Sequence, residues 1–135
     1  MVIIEIEEEK MVPKDLIFTK EHEWVQIEGD IATVGITHYA QGELGDIVFI
    51  ELPETGEDVA QGESIGTIEA VKAVTDLFAP LSGEIVEIND ALDGTPEIIN
   101  QDPYGDGWMV RIKIADKSET ENLLTAEQYK ELIGE

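Results

Sequence analysis

Lys72 is the only Lys or Arg between Lys20 and Arg111, an interval that holds 20 Asp and Glu residues. An ammonium in so acidic a field stays protonated, because carboxylates nearby favour the charged form, and this argues against a role as general base. Two uses remain. Lys72 is either an ordinary solvated lysine, as charged residues usually are, or a lysine that another enzyme recognises, acylates and thereby neutralises. The flanks suit the second use: Val71 and Ala73 are small and apolar, and Glu69 and Asp76 stand a few residues away.

The remaining residue types exclude more chemistry than they offer. The chain has no Cys, hence no thiolate nucleophile, no disulfide and no Cys-based metal site. Two separated histidines, His22 and His38, cannot assemble a His-rich metal centre or a Ser-His-Asp machine. No catalytic residue and no metal ligand is assigned, and the chain is read as a non-enzyme. Its formal net charge of -23 repels nucleic acid and anionic lipid and suits partners with basic docking faces. No apolar run approaches the ~20 residues that span a bilayer. The N-terminus lacks a basic targeting segment, so the expected compartment is the cytoplasm.

The elements that must position Lys72 follow from pattern. A chain of 135 residues, 42% hydrophobic and 29% charged, suffices for one globular domain. Residues 1–12 are set apart as an N-terminal extension, either an added edge strand or a segment preceding a start at Met11. Residues 13–135 form the single domain, with strands over 13–115 and helices over 116–135. Trp24 to Ile27 and Ile31 to Gly35 alternate around the turn Glu28-Gly29-Asp30, which predicts a hairpin. Thr37 caps a short helix that ends at Gly45, with Ala40 and Leu44 on one face and His38 solvated in its first turn.

A repeat follows. Gly45-Asp46-Ile47-Val48-Phe49-Ile50 leads through a Gly/Pro turn to Val59, and Gly83-Glu84-Ile85-Val86-Glu87-Ile88 leads through another to Ile98-Ile99. A second strand comes after each, Ser64 to Ile68 and Met109 to Ile114. Neither unit buries an apolar face alone, so the two are expected to pack as a sandwich. Lys72 lies between them, at the tip of a hairpin of Ser64–Val71 with Ala73–Phe78. Pro103-Tyr104-Gly105-Asp106-Gly107-Trp108 is a turn before the last strand. Ser118 with Glu121 and Thr125 with Gln128 have capping-box spacing, and Leu124, Gln128, Leu132, Tyr129 and Ile133 form a helical stripe that covers an edge of the sandwich.

Several motifs in order carry a resemblance: Phe18-Thr19-Lys20-Glu21-His22-Glu23-Trp24-Val25, Ala32-Thr33-Val34-Gly35-Ile36-Thr37, Leu44-Gly45-Asp46-Ile47-Val48, Glu69-Ala70-Val71-Lys72-Ala73, Ser82-Gly83-Glu84-Ile85-Val86 and Asp102-Pro103-Tyr104-Gly105-Asp106-Gly107-Trp108-Met109. From about Pro13 onward the chain resembles the H-protein family of the glycine cleavage system. The resemblance implies a mainly β, lipoyl-domain-like barrel-sandwich hybrid of two antiparallel sheets with short helices. It implies lipoic acid in amide linkage on Lys72. The lipoyl arm would take an aminomethyl group from a pyridoxal-phosphate-dependent glycine decarboxylase to a tetrahydrofolate-dependent aminomethyltransferase, then be reoxidised by dihydrolipoyl dehydrogenase. A lipoate ligase or a lipoyl or octanoyl transferase would load it, and the carrier is expected to be a monomer.

By the same resemblance the loaded arm rests against Glu23 and Asp76, with Glu69, Ala70, Val71 and Ala73 as further contacts around the lysine. Two positions depart from the family pattern: Ala70 stands where Ser is usual, and Glu43 where some members have His. Three alternatives accompany the carrier reading: a related lipoate carrier in lipoate relay or sulfur oxidation, a biotinyl carrier, and a non-carrier interaction module. Val71 and Ala73 replace the methionines that flank a biotinyl lysine, and the intact Lys72 context opposes the interaction module.

Overall fold

The computed structural model describes residues 12–135, so the expected N-terminal extension lies outside the described residues except for Val12. Val12 itself is buried, against Leu16, Phe18, Trp24 and Tyr129.

Runs of alternating β-branched residues become strands because one face of each can be buried. Strands β1 (Ile17–Phe18), β2 (Glu23–Glu28), β3 (Ile31–Ile36), β5 (Asp58–Val59), β8 (Gly83–Ile88) and β9 (Val110–Ile114) form one sheet in the order β1-β2-β3-β9-β8-β5. Strands β4 (Ile47–Glu51), β6 (Ser64–Ala70) and β7 (Val74–Phe78) form a second, in the order β4-β6-β7. Every pairing is antiparallel. The β2–β3 hairpin closes over Gly29-Asp30 with Glu28 opposite Ile31, as its alternation predicts. Among the described residues no helix is long and apolar enough to cross a membrane.

The two repeat copies fall in different sheets, β4 and β6 in the smaller, β8 and β9 in the larger. Leu52 and Ile65 of the first copy pack on Val34, Ile85, Val110 and Ile112 of the larger sheet, which is the expected sandwich. β5 crosses from the first copy to pair with β8. The second copy differs from expectation after β8. The segment read as a turn leading to Ile98-Ile99 is instead helical, α2 (Ala91–Gly94) and α3 (Ile98–Gln101), after the helix α1 (His38–Leu44). Leu92 and Ile99 bury themselves with Met109 beneath the smaller sheet. The Ile47 N–H donates to the Asn100 side chain at 3.0 Å.

α1 begins where Thr37 Oγ1 accepts the Ala40 N–H and stops at Gly45, whose φ of 80° L-side chains rarely adopt. Its Ala40 and Leu44 face the core. His38 is half-buried, its N–H donating to the Tyr104 hydroxyl at 3.0 Å.

At the C-terminus a 3-10 helix (Lys117–Asn122) is capped by Asp116, whose carboxylate accepts the Ser118 N–H. The Ser118–Glu121 capping box is therefore displaced by a stronger acceptor two residues earlier. The Thr125–Gln128 box does form and opens α4 (Ala126–Ile133), which ends at the left-handed Gly134. α4 covers the β1 edge, with Tyr129 stacked on Phe18 at 4.7 Å between ring centres. Its inward face is Ala126, Tyr129 and Ile133; Gln128 turns back to the cap and Leu132 faces solvent, so only part of the expected stripe is buried.

Candidate functional site

Lys72 occupies the tip of the β6–β7 hairpin, in the three residues between Ala70 and Val74. Val71, Lys72 and Ala73 are all exposed, whereas Ala70 beneath them is buried. The turn is closed by the Ala70 N–H donating to Ala73 O at 2.9 Å. Two further backbone bonds fasten it to the corner between α1 and β4: Val71 N–H donates to Asp46 O at 3.0 Å and Lys72 N–H to Leu44 O at 3.3 Å. The hydrocarbon stem of Lys72 passes beside Gly45, where an added Cβ would lie 3.4 Å from it.

The corner is itself held by α3. Asn100 Oδ1 accepts the Ile47 N–H, and Asn100 Nδ2 donates to Gly45 O at 2.9 Å and to Gln41 Oε1 at 3.0 Å. One carboxamide thereby satisfies two backbone groups exposed by the end of α1, and so fixes the ledge on which the lysine hairpin rests.

Beside this ledge lies a cavity of about 340 Å³. Its floor is Ile36, Ala40, Leu44 and Ile68; its polar lining includes Glu21, His22, Glu23, Tyr39, Glu43, Thr75 and Asp76. Leu44 belongs both to the cavity and to the backbone anchor of Lys72, so the stem of the lysine starts at the edge of the cavity.

Glu23 is the unusual group in the wall, a carboxyl only 1% exposed. Three consecutive residues, Glu23, Trp24 and Val25, are buried because both faces of β2 are covered here: Trp24 meets Phe18 and Tyr129, and Val25 meets Ala32, Leu81 and Ile114. The Thr19 hydroxyl donates to Glu23 Oε1, and the Phe78 N–H donates to Glu23 Oε2 at 3.2 Å. Burial nevertheless outweighs these donors and pushes the Glu23 pKa up to about 7.

His22 stands at a φ of 71°, rare for a residue with a side chain. Its Nδ1 lies 2.8 Å from the buried Tyr129 hydroxyl, which is 2.7 Å from Thr37 Oγ1. Burial holds the imidazole pKa below its usual value, against the raising influence of Glu21 and Glu43. Tyr39 donates to Glu43, and that bond holds its phenol pKa above normal.

Of the residues singled out in the sequence, Glu23 and the exposed Asp76 meet at the cavity, the first in its wall and the second on the free edge of β7. Glu69 points to the opposite face of the smaller sheet, between the buried Ile68 and Ala70. Glu43, noted for departing from His, lines the cavity. His22, Tyr39, Glu21 and Thr19 were not singled out as site residues. Thr19, four residues before Glu23, carried a usable signal: its hydroxyl accepts the N–H groups of Glu21 and Glu23, the habit of a Thr at a tight turn. His22 carried none, since its conformation is set by packing against Tyr39 and Tyr129.

A family model described as glycine cleavage H-protein matches residues 16–135. The glycine cleavage system H protein of Staphylococcus carnosus (strain TM300) is 57% identical over 124 residues, 92% of this chain and 98% of that one. That of Staphylococcus epidermidis (strain ATCC 12228 / FDA PCI 1200) is 56% identical with the same coverage. The crystal structure of a glycine cleavage system H protein from Mycobacterium marinum superposes with a TM-score of 0.83 at 43% identity, covering 92% of this chain and 100% of that chain.

Proposed function

This chain belongs to the glycine cleavage H-protein family, and on that premise we propose that Lys72 is its acylated lysine, carrying lipoic acid in amide linkage. The observation that carries the assignment is the lone Lys or Arg of residues 21–110 standing at an exposed hairpin tip, its stem passing beside Gly45 at the edge of the cavity. The residues present fit such a group. The neighbours of Lys72 are small enough to admit an acylating enzyme, and the apolar floor of Ile36, Ala40, Leu44 and Ile68 suits a hydrocarbon chain.

When attached, the lipoyl group supplies the disulfide that carries the aminomethyl unit from the pyridoxal-phosphate-dependent decarboxylase to the tetrahydrofolate-dependent aminomethyltransferase, and that dihydrolipoyl dehydrogenase regenerates. The chain's own part is to position and shelter. Amide formation removes the Lys72 charge, so the stem no longer prefers the carboxylates around it. Glu21, Glu43 and Asp76 give the cavity a negative potential suited to a protonated amine. Glu23 holds its proton at a buried carboxyl that titrates near neutral pH. Tethering raises the effective concentration of the carried group at each docked enzyme. The reading places the carrier in the cytoplasm, as a monomer, among these three enzymes.

Coexpression with a lipoate ligase tests the assignment. Intact mass should rise by one lipoyl group in the wild type and not in Lys72→Arg. An unmodified wild type, or a biotin-sized increase, removes the reading. Glycine–bicarbonate exchange with the decarboxylase then separates glycine cleavage from other lipoate-dependent roles.

A further inference from the structure

The lysine hairpin has two sides, and only one belongs to the cavity. Ile68 and Thr75 pair across β6 and β7 and face the cavity. The next row, Phe49, Glu69 and Val74, runs straight across the smaller sheet on its outward face. Strict alternation along β4 would bury one of any two successive side chains. A register shift between Ile47 and Phe49 breaks that rule, and Val48 and Phe49 are exposed together. Val48 is 54% exposed, Phe49 50%, Val74 62% and Val71, at the tip, 72%.

Singly exposed apolar residues are ordinary, whereas contiguous ones mark interaction sites. These four share one end of one small sheet, around Lys72. The other large apolar side chains with comparable exposure, Ile27, Val86 and Leu132, are scattered over β2, β8 and α4. Exposed Asp46 and Glu51 border the four residues, Glu69 stands between Phe49 and Val74 in the row, and the three strands contain no Lys or Arg. A partner that covers this face therefore needs an apolar centre with a Lys- and Arg-rich rim.

Resting on the reading of Lys72 as acylated, we propose that Val48, Phe49, Val71 and Val74 form the docking surface for the enzyme that acylates it. The chemistry selects that partner. Lys72 Nζ must attack the carbonyl of an activated acyl donor, a mixed anhydride or thioester. The ammonium first gives a proton to a base of the enzyme; the amide C–N bond then forms, the bond from the carbonyl to the phosphate oxygen or sulfur breaks, and the second N–H proton passes to the departing thiolate or to a base. The acylating enzyme must therefore bring its donor within bonding distance of Nζ itself and cover the side chains next to it. Enzymes that act on the loaded arm meet its far end, many bonds away, and are free to dock elsewhere.

The test uses purified lipoate ligase, ATP and lipoic acid, with acylation followed by intact mass. Phe49→Ser and Val74→Thr should each lower kcat/KM for acylation, the former about ten-fold as for loss of an interfacial aromatic. Val86→Thr, also exposed but on the other sheet, should not change it. Each variant, once loaded to completion, should support glycine–bicarbonate exchange within about two-fold of wild type. Added salt should raise the KM of the wild type for ligase. Acylation unchanged in Val74→Thr and in a folded Phe49→Ser overturns the proposal, as does exchange that falls in parallel with acylation. If Phe49→Ser melts early, Val74→Thr decides alone. A wild type that gains no mass refutes the Lys72 assignment itself, and the docking surface with it.

Discussion

Replacing Glu23 by Gln isolates a pH dependence that burial should impose on folding. The Glu23 carboxyl has an ordinary value of 4.5 and is pushed up to about 7 in the folded chain. A folded state that holds the proton more tightly than the unfolded chain gains stability while the carboxyl is protonated, and loses it as pH rises. The group's contribution is thus fully favourable below about pH 4.5, declines between about pH 4.5 and 7, and is flat above. That interval, at about 1.4 kcal/mol per pH unit, amounts to about 3 kcal/mol. The Gln variant keeps an acceptor for the Phe78 N–H. Its NH2 meets a Thr19 hydroxyl already accepting from Glu21 and Glu23, which adds a cost that does not vary with pH. The assay is urea unfolding of both proteins across the range from about pH 5 to 8. Wild-type stability minus variant stability should fall by about 2–3 kcal/mol with rising pH. His22, whose lowered pKa acts with the opposite sign below its usual value, is common to both and cancels. A difference that stays flat, or that rises with pH, would refute the reasoning that desolvation governs Glu23.

Tyr129→Phe keeps the stack on Phe18 but strips the hydroxyl from between His22 Nδ1 and Thr37 Oγ1, and should cost about 1–3 kcal/mol in denaturant unfolding. Gly45→Ala forces a Cβ onto a residue at φ 80° and should destabilise by about 1–3 kcal/mol, while acylation of Lys72 in the fraction still folded continues. Asn100→Asp turns a donor to Gly45 O and Gln41 Oε1 into an acceptor; hydrogen exchange at the Val71 and Lys72 amides should accelerate, and unchanged protection there would dissociate Asn100 from the hairpin.

Local signals in the sequence were legible where a local interaction decides the outcome. The Gly29-Asp30 turn, the Thr37 and Thr125 caps and the hairpin that ends at Lys72 all depend on residues within a few positions of one another. Legibility failed where a distant partner decides. Ile98-Ile99 reads as the end of a turn, yet the segment is helical, Ile99 finds its burial in the space under the smaller sheet, and the Asn100 side chain takes the Ile47 N–H. Ser118 could cap a helix, but the neighbouring Asp116 does so first. The position of Lys72 between the repeats was readable; the cavity beside it was not, because Glu21, Glu23, Tyr39, Glu43 and Asp76 converge from three separate segments. The proton affinity of Glu23 is likewise invisible in one dimension, since it requires both faces of β2 to be covered.

The two bonds that fasten Val71 and Lys72 to Asp46 and Leu44 bear on the entropy of docking. A free loop would lose about 1–2 kcal/mol of backbone freedom per residue when an enzyme closed over it. Here that ordering is already complete when the chain folds, so a docking enzyme restrains mainly the torsions of one side chain. On the proposed reading of Lys72 the pivot of its arm is stationary, and its location is governed by a corner near residue 45 and an asparagine at 100, both remote in sequence from the lysine. Variation at those positions would move the centre of the arm's swing without altering the motif an acylating enzyme reads.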